Sequence, residues 1–137
     1  MPQIPVSVTV DFTNVSVNGN QFSENPAWSV DPQEVQCHNG QNTLTWTLTA
    51  TNLPAGSAAA SAAAFPQSGA IEFKTSNSQG WSGGPPTTQP NGKAEATDNF
   101  QNLTIPVKFF YTTYVVLTKP SITSQTYSYD PDVEDIP

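Results

Sequence analysis

The chain has 137 residues, with eleven Asp and Glu, four Lys and no Arg, and its net charge is −7. This balance excludes a basic patch that could neutralise phosphates, so we expect neither nucleic acid nor a membrane as a partner. Aromatic and β-branched residues occur in organised runs, which excludes disorder throughout. The length is that of one ordinary domain. We therefore predict a single domain over residues 1–137, with an acidic C-terminal tail at 130–137.

The N-terminal segment predicts a strand and gives no sign of a targeting sequence. From Pro5 to Phe12, valines alternate with Ser, Thr and Asp, which is the period of two of a half-buried strand. The residues before it show neither a basic start nor an apolar stretch of the signal-peptide type. No run approaches the roughly 20 apolar residues of a membrane span. We therefore expect a cytoplasmic protein.

The clearest strand pattern lies at Thr43–Thr51, after a tight turn at Asn39-Gly40. Threonines occupy every second position, and the residues between them are Leu44, Trp46, Leu48 and Ala50. This alternation predicts one solvated face and one core face, with Trp46 buried between two sheets. Ala27–Asp31 and Glu34–Cys37 are shorter strand candidates, separated by Pro32.

Two long connections are predicted in the middle of the chain. Leu53–Gly69 is alanine-rich, and we expect it to hold one or two helical turns, although so short a helix is marginal alone. A strand at Ala70–Thr75 follows. Ser76–Gly92 is rich in Gly, Pro and Ser and carries Trp81. Trp81 can stack on a sugar ring or a partner side chain, or it can fold back and cap the core.

The C-terminal part completes an all-β prediction. Leu103–Thr112, Tyr114–Lys119 and Ser124–Tyr129 are rich in β-branched and aromatic residues. Short strands separated by turn signals are typical of a sandwich. We predict an immunoglobulin-like β-sandwich, with two antiparallel sheets of about seven strands in total and Greek-key connections.

Few residues are suited to catalysis or to metal binding. Cys37 is the single cysteine, so no intrachain disulfide can form, and His38 is the single histidine. Neighbours in an extended strand point to opposite faces, so these two side chains cannot form a nucleophile–base pair by themselves. One His without a CxxC motif cannot make a zinc site, and no Gly-x-Ser-x-Gly motif occurs. We expect no enzymatic activity and no cofactor.

The acidic tail has two interpretations. Asp130, Asp132 and Glu134 have the alternating spacing of the first ligands of a calcium-binding loop, but Asp135 stands where that loop needs Gly. The segment is then either a solvated tail or part of a calcium site shared with a residue such as Asp98.

Two resemblances bear on architecture. Val30–Thr47 resembles the early strands of cupredoxins, where a Pro-containing strand, a Gly turn and a Thr-x-Trp-Thr strand occur together. That family's copper site needs two His, and this chain has one, so the resemblance implies architecture alone. The same strand is similar to those of immunoglobulin-like domains, with Trp46 in the place of the central core Trp.

A third resemblance rests on two Asp-Pro pairs. Asp31-Pro32 and Asp130-Pro131, together with the closing run Tyr127–Asp135, resemble the small bacterial proteins of the DP-EP family. The resemblance implies an immunoglobulin-like sandwich of seven strands and supplies no catalytic residue.

The functional expectation follows from these observations. We expect a non-enzymatic binding or structural module that uses a sheet face or the Trp81 loop, with a protein or a glycan as partner. The alternative is a carbohydrate- or calcium-binding accessory domain, and a hydrolase ranks third. The sequence leaves the ligand and the oligomeric state open.

Overall fold

The computed structural model describes residues 3–54, 61–73, 86–103 and 107–130, and every regular element among them is a β-strand. The twelve strands in this part of the chain are β1 (Gln3–Asp11), β2 (Ser16–Asn18), β3 (Gln21–Ser23), β4 (Ala27–Asp31), β5 (Glu34–Cys37), β6 (Gly40–Thr51), β7 (Ala62–Ala64), β8 (Ile71–Phe73), β9 (Thr87–Thr88), β10 (Ala94–Phe100), β11 (Val107–Lys119) and β12 (Ile122–Tyr129). The all-β, sandwich-like fold is thereby confirmed. The sequence predicted about seven strands. The five additional strands are short segments of two or three residues. Within these ranges, no helix is long and apolar enough to cross a membrane.

The first sheet has five strands in the order β4-β1-β6-β10-β9. Three of its four strand pairs are antiparallel, but β1 and β6 pair in parallel, with Val6 opposite Trp46. The expectation of purely antiparallel sheets is wrong for this pair. The chain leaves β1, passes through β2 to β5, and comes back beside β1 running in the same direction.

The second sheet is built on β11. This strand pairs antiparallel with β5, β7, β8 and β12 along its thirteen residues. The two strands predicted on either side of Thr113 are therefore one continuous strand. A separate hairpin of β2 and β3 is joined to the start of β12, where Thr123 N donates to Asn20 O at 2.9 Å.

The alanine-rich segment differs from its prediction. Ala62–Ala64 form strand β7, which pairs with Val116–Thr118 of β11. Alanine favours a helix, yet an isolated short helix gains little, whereas pairing with a long neighbouring strand satisfies the same backbone groups. The preceding residues 55–60 lie outside the described ranges.

The core lies between the two sheets, and Trp46 is at its centre. The Trp46 side chain is fully buried, as the alternation in β6 predicts. Its ring meets Tyr111 of the second sheet edge-on at 5.5 Å between centroids, and Phe73 at 6.0 Å. Valines of β1 and alternate residues of β11 complete the packing: Val6, Val8, Val10, Phe109, Val115 and Leu117.

We predict that Trp46→Ala lowers the free energy of unfolding by about 3–5 kcal/mol, because it leaves a large cavity where the sheets meet. Urea denaturation followed by circular dichroism measures the change. Trp28→Ala, at a half-buried tryptophan of an edge strand, is the control and should cost less. A loss below about 1 kcal/mol in Trp46→Ala, the scale of surface substitutions, would contradict the prediction.

Candidate functional site

Most of the residues singled out in the acidic tail and the long loop lie outside the described ranges. These residues are Trp81, Asp132 and Glu134. Asp130 is exposed at the end of β12, whereas Asp98 is buried on β10, where its Oδ1 accepts a hydrogen bond from Asn99 N at 2.8 Å. In the part of the chain that the structure describes, no group of three His, Cys, Asp or Glu side chains could hold a metal ion. The calcium site stays a prediction.

Cys37 and His38 differ in burial. Cys37 is fully buried on β5, and His38 is exposed in the turn that follows. Burial, reinforced by the nearby Asp98 carboxylate, raises the pKa of the Cys37 thiol to about 11. The thiol is therefore protonated at neutral pH, and a protonated thiol is a poor nucleophile and a poor metal ligand.

A buried amide holds the turn beside His38. Asn42 is fully buried, and its Oδ1 accepts from His38 N at 3.1 Å. Its Nδ2 donates to His38 O at 2.7 Å and to Gly40 O at 3.0 Å. Gly40 has a φ of 100°, a left-handed conformation that suits glycine. The Asn42 side chain thus satisfies backbone groups of His38 and Gly40, so its role is to stabilise the turn.

The outer face of the first sheet is lined by hydroxyl groups. Thr47 and Thr49 of β6 are exposed, and they lie opposite Ser7 and Thr9 of the neighbouring β1. This is the solvated face that the threonine alternation predicts. Within the described residues it presents hydroxyls without an aromatic ring, so it offers little area to anchor a ligand.

A more specific arrangement occurs where the chain passes from the first sheet to the second. Strand β4 ends at Asp31 and β5 begins at Glu34, and the Asp31-Pro32 peptide bond between them is cis. We define the Asp-Pro corner as the three side chains that meet beside this crossing, Trp28, Gln33 and Tyr129.

An aromatic stack joins the two sheets at the Asp-Pro corner. Trp28, on the edge strand of the first sheet, stacks on Tyr129 of the second sheet with 5.7 Å between ring centroids and 20° between planes. Both side chains are half-buried. Gln33 Nε2 donates to Tyr129 Oη at 2.9 Å, and the Gln33 side chain is exposed. Contacts with Trp28 and with Gln33 thus fix the Tyr129 ring, and the Gln33 amide lies beside the stack.

Tyr111 connects this corner to the core. Its hydroxyl donates to Pro32 O, and its ring packs edge-on against Trp46. Burial raises the Tyr111 pKa, and the nearby Asp31 and Tyr129 raise it further. The Trp46 indole N–H counteracts part of that rise, although it has no partner in hydrogen-bonding geometry among the described residues. Tyr111 therefore stays neutral and holds the Pro32 carbonyl in place.

The aspartates of the two Asp-Pro pairs are not part of the stack. Asp31 pairs with the exposed Ser7, whereas Trp28 pairs with the buried Val10, so Asp31 lies on the solvated outer face of the first sheet. Asp130 is exposed and follows the last residue of β12. The site therefore presents aromatic surface and an amide.

The sequence contains a signal near this site, but the position of the site could not be predicted from the sequence alone. The two Asp-Pro pairs are conspicuous, and they occur at the ends of β4 and β12, the two strands that the Trp28–Tyr129 stack joins. Trp28 itself was missed, because a tryptophan in a five-residue strand candidate looks like any core residue.

Comparisons with known proteins return no relative: no family model matches the chain, and no curated protein or solved structure is significantly similar to it. The DP-EP resemblance therefore stays a prediction.

We predict that Cys37 in the folded protein reacts with iodoacetamide at least about 100-fold more slowly than after unfolding in urea, at pH 7.5. Raising a thiol pKa by two units lowers the reactive thiolate fraction about 100-fold, and burial slows access further. Mass spectrometry of timed samples measures both rates. The folded-state rate should keep rising with pH up to about 11. Similar rates in the two states would show an accessible, ionised thiol.

Proposed function

We propose that this protein is a non-catalytic binding module of the immunoglobulin-like sandwich type, and that its ligand site includes the Asp-Pro corner. One observation carries the proposal: a half-buried aromatic stack, Trp28 on Tyr129, is bordered by the exposed side chain of Gln33. Aromatic side chains supply large contact area, and a few polar groups beside them fix a ligand's orientation.

The rigidity of the corner supports a binding role. The Tyr129 ring is held by Trp28 on one side and by Gln33 at its hydroxyl, and the Pro32 carbonyl is held by Tyr111. Side chains that are already ordered lose little conformational freedom on binding, so more of the contact energy appears as affinity.

The chemistry of the single Cys and the single His favours binding over catalysis. The Cys37 thiol is buried and protonated at neutral pH. His38 contacts Asn42 through its backbone, and no hydrogen bond joins its imidazole to a hydroxyl or thiol in the part of the chain that the structure describes. A hydrolase with a Ser or Cys nucleophile and a His base would need such a contact.

Two other sites from the sequence remain proposals. The Trp81 loop is a second candidate for ligand contact, and the acidic residues from Asp130 to Glu134 are the candidate calcium ligands of an accessory domain. Of these residues, the structure describes only Asp130.

The proposal predicts which tryptophan senses a ligand. The chain has three Trp, so its NMR spectrum should contain three indole N–H resonances. In a screen of glycans and peptides, a compound that binds should shift the Trp28 resonance and leave that of the buried Trp46 in place. Trp28→Phe assigns the peak. A bound compound that shifts only the Trp81 resonance would move the ligand site to the long loop and overturn the role of the corner.

A further inference from the structure

The sequence contains three Asn-Gly pairs, Asn18-Gly19, Asn39-Gly40 and Asn91-Gly92, and the asparagine of each is exposed. An asparagine before glycine is prone to deamidation, because glycine has no side chain to keep its backbone nitrogen away from the neighbouring amide. We propose that the first pair is a site of spontaneous deamidation in the folded protein, and that local hydrogen bonds protect the other two. This inference is independent of the binding role proposed above.

The reaction takes place within the pair and consumes one water. The Gly19 backbone nitrogen loses its proton to hydroxide and attacks Cγ of Asn18, the Cγ–Nδ2 bond breaks, and the amide nitrogen leaves as ammonia. Water then opens the succinimide ring. Addition at Cγ gives aspartate, whereas addition at the main-chain carbonyl carbon gives isoaspartate, in which the main chain runs through Cβ and Cγ and is one carbon longer. No oxidant or reductant is needed.

Two hydrogen bonds protect the Asn39 amide. Its Nδ2 donates to Leu103 O at 3.1 Å, and its Oδ1 accepts from Leu103 N at 2.8 Å. Attack by the following nitrogen would turn Cγ from planar to tetrahedral, and the loss of ammonia would remove the donor. Both bonds to the segment after β10 would therefore be lost along the path, which raises the barrier.

The Asn91 pair is engaged at both reacting groups. Gly92 N, which would attack, donates to Gln89 O at 2.9 Å. Asn91 Oδ1 accepts from Lys93 N at 3.0 Å, so the side chain is oriented toward the residue beyond the glycine. The nucleophile and the amide must each give up a hydrogen bond before they can react.

Asn18 has neither kind of protection. It is exposed at the end of β2, before the tight turn in which Gly19 has a φ of 68°. In the part of the chain that the structure describes, neither the Asn18 amide nor Gly19 N makes a hydrogen bond. The nitrogen is therefore open to deprotonation, and the amide can rotate toward it without breaking a contact.

Isoaspartate at this position would disturb the contact of the hairpin with the second sheet. Asn18 pairs with Gln21 across the turn, and Asn20 O, between them, accepts from Thr123 N at 2.9 Å. A longer main chain at residue 18 displaces this carbonyl from the start of β12. The same hairpin carries the buried side chain of Phe22 into the core. We therefore expect the isoaspartyl form to be less stable than the fresh protein.

The test compares the three pairs in the folded and the unfolded full chain, because all three share the same dipeptide. Protein is incubated at mildly alkaline pH with and without guanidinium chloride, and peptide mapping by mass spectrometry follows each asparagine. The unfolded chain should convert all three at similar rates. In the folded chain, Asn18 should react at least about tenfold faster than Asn39 and Asn91, since tenfold is about 1.4 kcal/mol, the scale of two net hydrogen bonds.

Two variants separate the reaction from its consequence. Asn18→Gln keeps an amide but needs a larger ring to cyclise, so residue 18 should stay unmodified over the same time. Asn18→Asp has the charge of the product without the additional main-chain carbon. The midpoint of thermal unfolding should fall in the isoaspartyl fraction, isolated by chromatography, and should stay close to that of the fresh chain in newly purified Asn18→Asp.

The outcomes that would overturn the inference are distinct from those that test ligand binding. Equal rates at the three pairs in the folded chain, or a faster reaction at Asn39 or Asn91, would show that the hydrogen bonds do not decide the site. An intact Asn18 under conditions that convert the unfolded chain would also refute it. An isoaspartyl fraction as stable as the fresh chain would contradict the effect on the hairpin.

Discussion

The contact between Trp46 and Tyr111 is the interaction on which the rest of the structure depends. It joins β6 of the first sheet to β11, the central strand of the second, and both side chains are fully buried. Because the Tyr111 hydroxyl also holds the Pro32 carbonyl, the same side chain sets the position of the crossing between the sheets. The core and the crossing beside the Asp-Pro corner therefore share one side chain, since Tyr111 contacts Trp46 with its ring and Pro32 with its hydroxyl.

Local pattern was sufficient to predict much of the fold. Alternation in β1 and β6 identified both strands and the buried position of Trp46, because period two directly reflects which face meets the core. The parallel pairing of these strands was not predictable, since it depends on how the chain crosses between sheets. The strand at Ala62–Ala64 was also missed, because pairing with β11 overrides the helix preference of alanine.

The candidate site shows a different limit of sequence reasoning. The repeated Asp-Pro pair was visible as a pattern. The aromatic stack of Trp28 on Tyr129, however, forms only because two sheet edges pack against each other. Neither residue stands out by spacing or by local composition. Conversely, Cys37 and His38, the most reactive residue types in the chain, are separated by their strand geometry into a buried thiol and an exposed imidazole.

The arrangement of the second sheet has a consequence for biosynthesis. Each strand pair described in that sheet includes β11, which starts at Val107 and follows β5, β7 and β8 in the chain. Until a ribosome has translated β11, these three strands have no partner strand, and the apolar side of the nascent first sheet is uncovered. Completion of the sandwich must therefore wait until β11 has left the exit tunnel. A premature stop codon before β11 would abolish the whole second layer instead of trimming one strand, so such a nonsense allele should behave as a complete loss of the domain.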